Sequence, residues 1–155
     1  MIEKEYPNDF YRGLSAKDNF TPEGYLTAAA FKFDSFCESR GDSYCELSIN
    51  WNDDEGALER LQTQRKPFTD QRQFRFGYAI IPVYLIRAIF KTHIENSEFS
   101  YERRPIPADP DLDIEENPYH GNLLLDNKLE KSIKKNIQHS LATIATQGAF
   151  INKEG

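Results

Sequence analysis

Three residues far apart in the chain have side chains suited to ligand chemistry. Arg12 stands in Tyr11-Arg12-Gly13, a short β-prone run closed by a glycine. An arginine in a first strand can hold a diphosphate by bidentate, charge-assisted hydrogen bonds while the glycine lets the chain turn away. Ser48 sits in Glu46-Leu47-Ser48-Ile49, where its hydroxyl can bond a ribose. His120 follows the turn signal Asn117-Pro118 and precedes Gly121, which permits an unusual backbone angle. A histidine held there titrates near neutral pH and can contact a base or ribose. Arg12, Ser48 and His120 therefore form a candidate ligand pocket if the fold brings them together. No cysteine or serine nucleophile accompanies His120 in an interpretable motif, so a general-base role has no visible partner and no catalytic residue is assigned.

A second candidate is the acidic stretch Asp109, Asp111, Asp113, Glu115 and Glu116. Alternating carboxylates suit a hard cation, yet an EF-hand loop begun at Asp109 needs glycine where Ile114 stands and a bidentate glutamate where His120 stands. The stretch is read instead as a solvated, partner-facing acidic loop that steers a basic protein surface.

The Tyr11-Arg12-Gly13 start, with Ser48 on a later strand, resembles the arginine-type ADP-ribosyltransferases. The resemblance implies a nucleotide-using enzyme. It ends after these residues, because no Ser-Thr-Ser run is present and no Glu-x-Glu triplet follows Ser48. The family's glutamate stabilises positive charge developing on the sugar, a task to which a neutral His120 is poorly suited. Across the whole chain Tyr11, Arg12, Leu47, Ser48, Asn117, Pro118 and His120 also resemble a group of small bacterial proteins to which no activity is attached.

Composition narrows the function classes. Nineteen basic against twenty-five acidic residues give a net charge of −6, which disfavours nucleic acid as a partner. The charged start MIEKEYPNDF does not read as a secretory signal, and YAIIPVYLIRAIF is too short for a membrane span and carries Arg87. A soluble, cytoplasmic protein is expected. Cys37 and Cys45, with seven residues between them and no CxxC, read as free thiols; with three histidines at wide spacing, neither metal nor cofactor is expected.

The elements that must position these residues follow from periodicity. Cys45, Leu47, Ile49 and Trp51 alternate with polar residues and predict a half-buried strand. A strand is also predicted at Phe10–Arg12, another over 74–81, and a last one at Leu123–Leu125, while alternation over 98–103 is strand-like. Helices are predicted over 25–31, after Asn52 or Asp53 up to Pro67, and from Pro82 through Phe90, with a second consecutive strand as the alternative for the last. Pro105, Pro107 and Pro110 impose a loop. A long amphipathic helix is predicted from Asp126 or Asn127, with Leu129, Ile133, Ile137, Leu141 and Ile144 on one face and Gly148 as its stop.

The expected fold is α+β: a single domain over 1–147 with a small, mostly antiparallel sheet, short helices, a long C-terminal helix and a frayed tail over 148–155. The expected function is that of a non-catalytic, acidic interaction protein, such as the immunity or accessory subunit of a bacterial toxin or defence system. Its partner would be a larger protein with a basic surface, without membrane contact. The alternative is the degenerate ADP-ribosyltransferase-like enzyme.

Overall fold

The computed structural model describes residues 7–33, 44–93, 101–126 and 128–148. They form one six-stranded antiparallel sheet and three α-helices, an α+β arrangement. In chain order these are β1 (Asp9–Gly13), β2 (Tyr44–Trp51), α1 (Gly56–Thr63), β3 (Tyr78–Pro82), α2 (Val83–His93), β4 (Tyr101–Arg103), β5 (His120–Asp126), α3 (Lys131–Ile144) and β6 (Thr146–Gly148). The sheet order is β4-β5-β2-β1-β3-β6.

One face of the sheet makes the core. Cys45, Leu47, Ile49 and Trp51 of β2 are buried there as their alternation predicts, beside Phe10, Ala79, Ile81, Leu123 and Leu125. Helix α2 contributes Val83, Ile86 and Phe90, and α3 contributes Ile137 and Leu141, both fully buried. Among the described residues no helix is long and apolar enough to cross a membrane. Cys45 is buried in the core, whereas Cys37 lies outside the described residues, so the expectation of two free thiols is not decided here.

Several elements differ from expectation. The C-terminal helix is 14 residues and begins at Lys131, not at Asp126 or Asn127. Asp126 instead accepts from Lys128 N at 2.8 Å and from Leu129 N through its carbonyl, a local turn that delays the helix. The helix also stops at Ile144, short of Gly148, which lies in the edge strand β6. Residues 149–155, most of the expected tail, lie outside the described residues. The expected strand over 74–81 is confined to Tyr78–Pro82, because Phe74 crosses to cover Gly13 and Phe76 packs edge-on against Phe20. The expected helix over 25–31 reduces to a 3₁₀ turn at Ala28–Phe31, since Leu26 is held extended by a bridge to Phe20. Pro82 does precede α2, and α1 ends before Pro67. Of the alternating stretch 98–103, Tyr101–Arg103 is strand and 98–100 lie outside the described residues.

Candidate ligand cleft

The second face of the sheet carries Tyr11 and Gly13 of β1, Ser48 and Asn50 of β2, and His120 of β5. Register fixes that set: Tyr11 pairs with Asn50, and Asn50 pairs with His120. Above it stand α1 and two loops, one running from Gln64 to Gln73 and one from Ile106 to Asn117. Between them lies a cleft of about 320 Å³, whose lining includes Arg12, Ser48 and His120. The three residues separated along the sequence thus wall one cavity.

Arg12 occupies a gap in the sheet. Strands β1 and β2 pair at Phe10–Trp51 and Tyr11–Asn50. Beyond that point β1 stays with β3 through Gly13, and β2 stays with β5 through Tyr44. The Arg12 side chain bridges the opening: Nη1 donates to the Ser48 carbonyl and Nε to the Ala30 carbonyl, both at 2.8 Å. Two of its N–H groups are thus spent on main chain, where the sequence suggested a phosphate clamp. Gly13 does not serve a turn. A Cβ there would clash with the Phe74 ring, so glycine is required to let that ring lie on the strand as a cleft wall.

A buried pair of carboxamides sets the floor. Asn117 Nδ2 donates to Asn50 Oδ1 at 2.9 Å, and Asn50 Nδ2 donates to the Ala57 carbonyl at 3.0 Å. Asn117 Oδ1 accepts from Tyr119 N at 3.1 Å, closing the turn that carries His120 into β5. With Asn50 2% and Asn117 7% exposed, loss of either partner would strand a buried polar group. The Tyr119 hydroxyl donates to Asp54, which also receives Gly56 N at the start of α1. That bond to Asp54 raises the Tyr119 pKa.

His120 Nδ1 lies 2.8 Å from the Arg104 carbonyl. A carbonyl only accepts, so Nδ1 carries the hydrogen and Nε2 is left as an acceptor. Burial pushes the imidazole pKa below its ordinary value, with Arg104 also lowering it and the Arg104 carbonyl bond and Glu46 opposing. The ring is therefore neutral at pH 7. Gly121 was expected to need an unusual backbone angle; it sits instead in regular strand, where the Trp51 indole and the Glu102 carbonyl leave no room for a Cβ. The Tyr11 hydroxyl has a raised pKa, through burial first and then Tyr78 and Asp9, and remains a donor. The Gln64 Oε1 atom in the cleft wall is buried with no hydrogen-bond partner.

The acidic stretch braces this wall. Asp113 bonds Arg65 at 3.3 Å and accepts from Phe68 N at 2.6 Å; Glu115 pairs with Arg60 at 3.2 Å and Arg65 at 3.3 Å. Asp109 caps the 3₁₀ turn Pro110–Leu112 by accepting from Leu112 N. Asp111 and Glu116 are exposed. The loop thus spends Asp109 on its own turn, and Asp113 and Glu115 on ties to α1 and the neighbouring loop. Among the described residues no cluster of His, Cys, Asp and Glu could hold a metal ion.

Sequence reasoning missed Asn50, Gln64 and Phe74. Asn50 shares the outward face of β2 with Ser48, a signal that this face carries more than solvent-exposed polar residues. Gln64 and Phe74 carried no comparable signal, since each reaches the cleft from a loop. Compared with known proteins, the chain matches no family model, no curated protein and no solved structure.

Proposed function

We propose that the protein is a small-molecule-binding domain whose ligand occupies the cleft on the open face of the sheet. The observation that carries this reading is the meeting of Arg12, Ser48 and His120 in one cavity, although the first two lie 36 positions apart in the chain and the third lies on another strand. An interaction module has no need of that convergence. The volume of about 320 Å³ is at the small end of the range for ligand sites, about 300–1,000 Å³, and suits a nucleoside-sized molecule better than a dinucleotide. The carboxylate that ADP-ribosyl transfer would need is not among the described lining residues, so binding rather than glycosyl transfer is the activity proposed.

The test is backbone amide chemical-shift mapping of the full chain against nucleosides and against NAD. The expected result is a contiguous set of shifts at Gly13, Ser48, Gln64 and His120 with nucleosides and no turnover of NAD. Shifts that avoid these residues with every compound would end the proposal.

A second reading, a protein-interaction role through the acidic loop, is favoured by one separate observation. Phe68 is 73% and Leu112 54% exposed on the two loops that Asp113 ties together, beside exposed Asp70, Asp111 and Glu116. Apolar anchors within an acidic rim would suit a partner with a basic surface.

A further inference from the structure

We infer that the cleft selects an uncharged, flat heterocycle presenting N–H donors and rejects its phosphorylated forms. This deepens the reading of the cleft as a ligand site and rests on it. The argument begins with charge. Among the described lining residues Arg12 is the one permanent cation, and its Nε and Nη1 are already directed to the Ala30 and Ser48 carbonyls. A phosphate would have to compete with two short main-chain bonds that bridge the gap between β1 and β2.

Hydrogen-bonding polarity is the next step. The imidazole of His120, fixed by the Arg104 carbonyl, keeps Nε2 as an acceptor, and the residue lines the cleft. Gln64 Oε1 is a second acceptor, buried without a donor, a condition that native proteins rarely leave uncorrected. A terminal carboxamide turns easily about its last bond, which lets this oxygen meet a ligand N–H. Asn50 and Asn117 add no demand for a charged ligand, because their carboxamides bond to each other and to main chain.

Shape is the third step. The Phe74 ring packs closely on Gly13, Tyr11 packs edge-on against Tyr78 at 5.7 Å, and Leu61 and Ile106 supply aliphatic surface. Aromatic and aliphatic walls beside acceptor atoms suit a planar ring with amino or imino groups at its edge.

The experiment is calorimetry on the full chain with adenosine, guanosine and cytidine, their 5′-monophosphates, and N6,N6-dimethyladenosine, which has lost its exocyclic donors. At least one nucleoside is expected to bind with a Kd on the order of 100 µM. Its monophosphate is expected to bind about tenfold more weakly, and dimethyladenosine to lose a similar factor against adenosine if adenosine is the nucleoside bound. For guanosine or cytidine, the corresponding N-dimethyl nucleoside replaces it. Equal or tighter binding of the monophosphate, with shifts at the cleft, would overturn the selection of an uncharged ligand while leaving the cleft as a ligand site. Undiminished binding of the dimethylated nucleoside would overturn the donor requirement alone. If no compound binds and no cleft amide shifts, both this inference and the reading beneath it fail.

Discussion

His120 shows how one side chain can report on its surroundings through pH. Its pKa in the folded protein lies below the ordinary 6.5 because burial penalises the charged ring. The unfolded chain therefore binds more protons than the folded one in the interval below that value. Stability is full above about pH 6.5 and is lost as pH falls from there through the lowered pKa. Denaturant midpoints measured between pH 7.5 and 5 should fall accordingly, and His120→Gln should flatten the profile over that interval. An unchanged slope in the variant would assign the pH dependence to another group. Arg12, Ser48 and His120 were legible in the sequence as ligand-type side chains. The role of Arg12 was not, because whether its fork faces a phosphate or a carbonyl depends on where β1 and β2 part. Gly13 and Gly121 were read for backbone freedom, but each answers to an aromatic ring arriving from elsewhere in the chain.

At the scale of elements, the two loops joined by Asp113 hold a strained residue. Phe68 adopts φ 62° and Asp113 φ 51°, a left-handed region that side chains with a Cβ enter at a cost. The Phe68 N–H bond to Asp113 and the Arg65 pair hold the arrangement in place. Phe68→Gly relieves the steric cost and gives back part of it through a more flexible unfolded chain, for a net gain of about 0.5–1 kcal/mol. Urea unfolding should show the midpoint rise, and if the exposed ring is a partner anchor, association should weaken in the same variant. A lower midpoint would mean that the ring packs in a way its exposure does not show. The elements themselves were unevenly legible. Strand β2 was plain because one face is core and its apolar residues alternate. Helix α3 was legible in its buried Ile137 and Leu141, but not in its start, where a side-chain turn at Asp126 competes with helix. The edge strand β6, three residues of Thr-Gln-Gly, has no apolar period and is defined by its pairing with β3.

For the whole molecule, the sheet behaves as two triplets sharing a seam. Strands β4, β5 and β2 form one, and β1, β3 and β6 the other. Among the described residues, seven pairs join β2 to β5 and five join β1 to β3, but two join β1 to β2, with the Arg12 side chain as the added link. A sub-global opening that parts the triplets while keeping each intact therefore crosses the shortest ladder among the described residues. Native-state hydrogen exchange should find the amides along the β1–β2 join opening at lower free energy than those between β2 and β5, with Arg12→Lys lowering the former selectively. A uniform response across all strands would mean that the sheet opens as one unit. Because the cleft straddles this seam, any molecule seated there acts as a removable staple, and its occupancy is written in the slowed exchange of amides it never touches.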